Sequence, residues 1–308
     1  MNGCNINPID LELTRDALAT STLNHGLKVL GDQWTVAILL GAFLGWRRFD
    51  EWQGQLAIPR QTLSQRLKTL VDMGVLRQRP YQERPVRMAY HLTQHGLALY
   101  GPVLMIWAWE RRWGARAGAL PQKLVHRSCG HRFRPVMACG HCGEPAGPDT
   151  LTFTLVPNPE LLPPAQDTAR SARMSTDAQP MGLGLRVDRW ALLILSAVYL
   201  GCRYFDQLAQ VLQIVPSVLT RRLGNLVEDG LLLPQPDLQD GRRTVYRLTP
   251  SSRDLFPYVM AFAHWADQHF GQAGSIRPTH KACGMPFVPS IQCSACHTQV
   301  SPHNVTYT

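Results

Sequence analysis

Three cysteines and a histidine fall in the stretch His126 to Cys142, HRSCGHRFRPVMACGHC, and the stretch His280 to Cys296, HKACGMPFVPSIQCSAC, repeats their spacing. Both follow His-x2-Cys-x9-Cys-x2-Cys: His126, Cys129, Cys139 and Cys142, then His280, Cys283, Cys293 and Cys296. Two short loops, each offering two such ligands, close a tetrahedron around Zn2+, and four protein ligands leave no open position. The spacing therefore predicts two structural zinc ions per chain, one in each stretch. His131 and His141 compete with His126 for the fourth place, but their counterparts are Met285 and Ala295; only His126 recurs, as His280. A chance group of reduced cysteines, or a redox pair, would account for one Cys-x-x-Cys. Neither accounts for a four-residue frame kept in spacing through a duplication.

Each frame sits in a short segment with Gly, Pro and few large apolar residues, too little to bury a core. Metal binding contributes about 10–16 kcal/mol to the folding of such modules. Each is thus expected to be a zinc ribbon, an annex duplicated with its winged helix that folds against the domain or presents a contact surface. Arg127, Arg132 and Arg134 make the first ribbon basic and able to touch DNA; the second lacks that cluster.

What positions the frames is a larger repeat. With Trp109 set against Trp265, DQWTVAILLGAFLGWRRFDEW faces DRWALLILSAVYLGCRYFDQL, and IPRQTLSQRLKTLVDMGVL faces IVPSVLTRRLGNLVEDGLL. One unit has been duplicated, and it is too long for a solenoid repeat. Each unit predicts an apolar helix (34–44; 190–200), a short helix (48–56; 204–212) and an amphipathic third helix (60–73; 216–229). The third ends at Gly74 or Gly230, as helix C-termini prefer. Two strands around a basic or Gly-containing loop (75–92; 231–248) and a long aromatic-rich helix follow. The first unit adds an N-terminal helix over about 11–31 that has no clear counterpart. The expected domains are a winged helix-turn-helix over 1–120, a ribbon over 121–155, a linker over 156–184, a second winged helix-turn-helix over 185–273 and a second ribbon over 274–308. The fold class is mainly α with small β wings (α+β).

Composition bounds the partners. The 308 residues suffice for two or more domains. A formal charge of +9, concentrated in residues 1–152, attracts polyanions. The apolar runs WTVAILLGAFLGW (34–46) and WALLILSAVYLGC (190–202) are shorter than the roughly 18 residues a spanning helix needs, so they predict buried helices and no membrane partner. The N-terminus, MNGCNINPIDLELTRD, shows neither a basic start nor an apolar core, so no signal peptide is expected. Cysteine pairs without one favour metal binding in a reducing cytoplasm. Cys4 and Cys202 stand outside the frames, and Cys4 has no activating neighbour in sequence.

On the third helix Leu63, Leu67, Leu70 and Val71, like Leu219, Leu223, Leu226 and Val227, recur at core spacing. The opposite face carries Gln61, Ser64, Gln65 and Lys68 in one unit and Ser217, Thr220, Arg221 and Gly224 in the other. An isolated face of this kind is usually only solvated. Behind a short helix and a tight turn it becomes the recognition helix of a helix-turn-helix, with groups that hydrogen-bond base edges or phosphates. Arg77, Arg79, Arg84 and Arg87 in one hairpin, and Arg242 and Arg243 in the other, suit a wing that reaches the phosphate backbone. Arg66 and Arg222 share a slot beside the leucine stripe, suited to a phosphate contact or a helix–wing brace.

These stretches, LKVLGDQWTVAILL, RRFDEW, LSQRLKTLVDMGVL and YHLT, resemble the HxlR-type winged-helix transcriptional regulators, relatives of the MarR group in bacteria. The resemblance spans about 25–115 and, more loosely, 185–270. It implies a cytoplasmic regulator that binds double-stranded DNA, is not an enzyme and forms a homodimer through its terminal helices. Relatives often carry a redox-sensing cysteine before the first core helix; here ATSTLNHGLKVLG has Ser21 at about that place, which counts against thiol sensing. Cys/His extensions also follow some HxlR-type domains.

With two winged helices in one chain, the protein is expected to be an intramolecular pseudo-dimer or a homodimer. A flexible linker over 156–184 would span about 30 Å, close to one turn of duplex. Two alternatives stand beside the regulator with structural zinc: a metal- or redox-responsive regulator, and a protein-interaction module whose second winged helix no longer binds DNA. Enzyme motifs are missing: no His-x-Glu accompanies the Cys-x-x-Cys as in zinc deaminases, and there is no P-loop, GxGxxG or GxSxG.

Overall fold

The computed structural model describes residues 9–114, 121–157, 188–271 and 274–307. The expected linker lies outside them from residue 158 onward, as does Cys4. The N-terminal helical stretch is two helices, α1 (Leu11–Ala19) and α2 (Thr22–Leu30), instead of one. Ser21 breaks it: its backbone is extended and its hydroxyl accepts from the Asn24 N–H at 3.1 Å, the work of an N-cap. Helices α3 (Gln33–Phe43), α4 (Phe49–Leu56) and α5 (Arg60–Asp72), the hairpin β1 (Leu76–Glu83) and β2 (Val86–Leu92), and α6 (Gln94–Leu97) with α7 (Tyr100–Trp113) complete the first winged helix. The first ribbon has strands β3 (Leu124–His126), β4 (Arg132–Phe133), β5 (Pro135–Cys139) and β6 (Leu151–Leu155). The second repeat follows with α8 (Arg189–Tyr199), α9 (Phe205–Leu212), α10 (Pro216–Glu228), β7 (Leu232–Pro236), β8 (Thr244–Leu248) and α11 (Pro250–Phe270). Strands β9 (Ile276–His280), β10 (Pro289–Cys293) and β11 (Val305–Tyr307) close the chain. No helix of the described residues is long and apolar enough to cross a membrane.

The motifs common to both repeats each have a local task. Leu63, Leu67 and Leu70, and likewise Leu219, Leu223 and Leu226, are buried against α3 and α8. Gly74 and Gly230 take φ of +67° and +68°, which ends α5 and α10 at little steric cost. The threonine of each Tyr-x-Leu-Thr caps the next helix: Thr93 accepts from Gly96 N–H at 3.1 Å and Thr249 from Ser252 N–H at 3.2 Å. The same hydroxyls donate to the carbonyls of Gly74 (2.5 Å) and Gly230 (2.7 Å), tying the base of the wing to the end of the recognition helix.

The N-terminal helices cover the second repeat, not the first. Helix α1 packs on α9, and α2 packs on α11. Where α9 offers Ala209 and Val211, α4 has the more polar Gln53 and Gln55, so only the second repeat presents an apolar face there.

The two repeats join through α7 and α11. The Trp109 indole donates to the Ser251 carbonyl at 2.8 Å, and the Trp265 indole donates to the His95 carbonyl at 3.0 Å. Trp109 aligns with Trp265 and His95 with Ser251, so the contact is reciprocal, as in an isologous interface. The ribbons depart from expectation: they are not separate annexes over 121–155 and 274–308. Strand β5 pairs antiparallel with β10, β3 with β11, and β6 with β9, each across the repeats. The reason is an edge effect. Strands of three to five residues expose unpaired N–H and C=O groups, and among the named strands of the described residues only β3 and β4 pair within one ribbon, beside single bridges such as Ala138 to Pro145.

Candidate metal centres and nucleic-acid interface

All eight predicted ligands come together in two groups of four, but not frame by frame. One group is His126, Cys129, Cys293 and Cys296; the other is Cys139, Cys142, His280 and Cys283. The expectation that each stretch closes its own site is thereby corrected: each site takes His-x2-Cys from one repeat and Cys-x2-Cys from the other. Strand pairing dictates this. The β5–β10 register sets Cys139 opposite Pro289 and Pro135 opposite Cys293, so each Cys-x2-Cys turn is carried past its own His-x2-Cys loop.

The donor geometry fits a tetrahedral ion. His126 Nδ1 lies 3.5 Å from Cys129 Sγ and 3.3 Å from Cys296 Sγ, and Cys129 Sγ lies 4.0 Å from Cys293 Sγ. In the second group His280 Nδ1 lies 3.3 Å from Cys142 Sγ and 3.5 Å from Cys283 Sγ, with Cys139 and Cys283 sulfurs 3.9 Å apart. Ligands at zinc distances on a tetrahedron stand roughly 3.5–3.8 Å apart. Both histidines are buried and present Nδ1 inward. The Thr298 hydroxyl and backbone draw the Cys296 thiol down to about 6, toward the ligating thiolate. His131 is exposed and His141 is exposed, and neither joins a group.

The other cluster is the recognition face. Gln61, Ser64, Gln65 and Lys68 are all exposed on α5, and Ser217, Thr220, Arg221 and Gly224 on α10. The first four line a surface hollow with Phe49 and Arg60, whose guanidinium lies 5.1 Å from the Phe49 ring centroid. Arg60 is absent from the sequence reading; extending the helical period back one turn from Ser64 would have found it. Lys68 pairs with Asp72 at 2.6 Å, both exposed, a link that water and salt weaken.

The arginines divide. Arg84 and Arg87 are exposed on the first wing and make no ion pair among the described residues. Arg242 is exposed on the second. Arg66 and Arg222 are different: Arg66 lies 3.3 Å from Asp32, and Arg222 pairs with Asp188, where these aspartates cap α3 and α8. In this arrangement they brace one helix to another inside the domain. Arg243 is also held: one of its guanidinium nitrogens donates to both Asp206 oxygens at 2.9 Å, and the group lies 3.9 Å from the Tyr204 ring centroid. It ties the second wing to the start of α9.

The chain is similar to known proteins. The family described as HxlR-like helix-turn-helix matches residues 29–117 and 186–273, together more than half of the chain. An uncharacterized HTH-type transcriptional regulator of Mycobacterium tuberculosis, MT3179, is 38% identical over 136 residues, which is 41% of this chain and 86% of that protein. YvaP of Bacillus subtilis, also an uncharacterized HTH-type transcriptional regulator, is 36% identical over 87 residues, 28% of this chain and 80% of its own. Among solved structures, PA1374 of Pseudomonas aeruginosa, described as a candidate transcription factor, is similar at 31% identity and a TM-score of 0.30, over 39% of this chain and 82% of that one.

Proposed function

Because this chain belongs to the HxlR-like helix-turn-helix family, we propose that it is a transcriptional regulator whose two winged helices act as an intramolecular pseudo-dimer on one duplex. The pairing of ligands across the repeats carries this reading: each four-residue group joins the two halves of the chain at the point where separate subunits would meet. The reciprocal Trp109 and Trp265 contacts support it.

Zn2+ is assigned to both groups, two ions per chain, on His126, Cys129, Cys293 and Cys296 and on Cys139, Cys142, His280 and Cys283. Bound zinc supplies a cross-link with no open coordination position, so its role here is structural. The protein's action is binding, not catalysis, and its expected setting is the cytoplasm. In the first winged helix Gln61, Ser64, Gln65 and Lys68 face the major groove, with Arg60, Arg84 and Arg87 on phosphates. Ser217, Thr220, Arg221 and Arg242 do the same in the second. These two faces differ in chemistry while the buried stripes agree, so the operator consists of two unlike half-sites.

One observation favours a second reading for the second winged helix alone. Arg243 is ion-paired where its counterpart Arg87, among the described residues, is not, and Gly224 stands in the place of Lys68, which leaves that face fewer cations than the first. Under this reading it packs on a protein and only the first repeat grips DNA. Operator selection followed by sedimentation separates the two. A monomer on one asymmetric bipartite site supports the pseudo-dimer, a single half-site supports the second reading, and an obligate homodimer on a true palindrome overturns both.

A further inference from the structure

A cavity lies where three parts of the chain meet: the start of α2, the packed pair α8 and α11, and the interleaved ribbons. Its walls are largely apolar, with an aromatic group on one side. Tyr199 and Phe256 meet edge to face with centroids 5.0 Å apart, and Phe153 from the ribbon meets Phe256 in the same way at 6.5 Å. At one end the character changes. Among the described residues Asp267 is the only acid in the lining, which contains no lysine or arginine. The Thr22 hydroxyl donates to one Asp267 oxygen, and no cation pairs with that carboxyl among the described residues. Burial pushes the Asp267 carboxyl up and the neighbouring His264 imidazole down, so both groups sit in an environment that disfavours their charged forms. A partly buried carboxylate without a cation carries a desolvation cost that a ligand ammonium would offset.

The first repeat provides a comparison inside the same chain. In place of Ser196, His264 and Asp267 it has Leu40, Ala108 and Arg111. In place of the Phe153 and Phe256 pair it has Tyr307 and Tyr100, whose hydroxyls lie 3.1 Å apart. The core leucines agree between repeats, but the residues that give this cavity its polar end do not. Among the described residues, the first repeat therefore has no acid at the place where the second carries Asp267.

We propose that this cavity binds one small aromatic amine, with the ring among Tyr199, Phe256 and Phe153 and the ammonium donating to Asp267. An apolar pocket with one placed polar group is the usual form of a small-molecule site. The lining sets the sign: among the described residues it holds a carboxyl and no lysine or arginine, which selects a cationic donor over an anion. The assignment is independent of the DNA reading, and it predicts a ligand that touches the N-terminal helices, the second winged helix and the ribbon together.

Calorimetry on the zinc-loaded full chain tests this with three probes of similar size: 2-phenylethylamine, 2-phenylethanol and 3-phenylpropionate. The amine is expected to bind with unit stoichiometry and at least tenfold more tightly than the other two. Asp267→Asn, which keeps an acceptor for Thr22, is expected to remove that preference. Ala263→Trp is expected to abolish binding of all three, with Ser196→Leu, the residue of the first repeat, as the milder filling variant if the first does not fold. Equal binding of amine and carboxylate, no binding of any probe, or an amine preference that survives Asp267→Asn overturns the proposal. So does unaltered binding in a folded filling variant.

Discussion

His126 and Cys296 lie 170 residues apart in the chain, yet the imidazole Nδ1 of one is 3.3 Å from the sulfur of the other. Since each group draws ligands from both repeats, an ion in either one would be held by both halves of the chain. Removing it would loosen the junction between repeats as well as the ribbon around it.

Metal analysis of paired variants distinguishes this arrangement from one site per stretch. The native chain should carry two zinc ions. His126→Ala combined with Cys296→Ser should lose one ion, because both residues serve the same group. His126→Ala combined with Cys142→Ser should lose both. The opposite pattern would show that each stretch closes on itself.

Cutting the chain tests the junction. With a protease site placed between residues 160 and 180, the cleaved zinc-loaded protein should still elute as one species in gel filtration. Two routes hold it: the α7–α11 contact and two ions that each contribute about 10–16 kcal/mol to their modules. Chelation should lower the denaturant needed to separate the fragments. Separation with zinc still bound would falsify the proposed cross-link.

The DNA face makes two kinds of prediction. Gln65→Ala should relax sequence preference at its base contact, at about 1–3 kcal/mol for a good bidentate pair. Arg84→Ala and Arg87→Ala should weaken binding to all sequences and reduce the slope of log affinity against log salt by about 1 each. Binding titrations on selected and scrambled duplexes at several salt concentrations give both quantities. Small, equal effects from all three would mark this face as merely solvated.

Arg66 and Arg222 should behave as structural residues. Each pairs with a helix-capping aspartate, and each pair is only partly exposed, so Arg222→Ala should cost about 1–2 kcal/mol after allowance for solvent screening. Denaturant unfolding measures that cost. The salt slope of DNA binding should stay near the native value, and a slope reduced by about 1 would return Arg222 to the phosphate contacts.

Much of this protein follows from the sequence because it depends on near neighbours in the chain. The leucine stripes, the ends of α5 and α10 at Gly74 and Gly230, and the ligand types in both metal frames all rest on spacings shorter than about a dozen residues. Helix periodicity and loop ligation are decided at that range. Ser21 shows how one local signal was passed over: a capping serine inside a helical pattern splits it into α1 and α2. What only the tertiary structure decided is the choice among equivalent long-range partners. Because both repeats carry the same His-x2-Cys-x9-Cys-x2-Cys spacing, closure within a stretch and closure across stretches satisfy the sequence equally well. The pairing of β5 with β10 breaks that tie, since short strands must find backbone partners and the other repeat supplies them. The same holds for α1 on α9, for the aspartates that pair with Arg66 and Arg222, and for the acidic cavity at Asp267. Each depends on which surfaces meet, and that is set by packing between segments far apart in the chain.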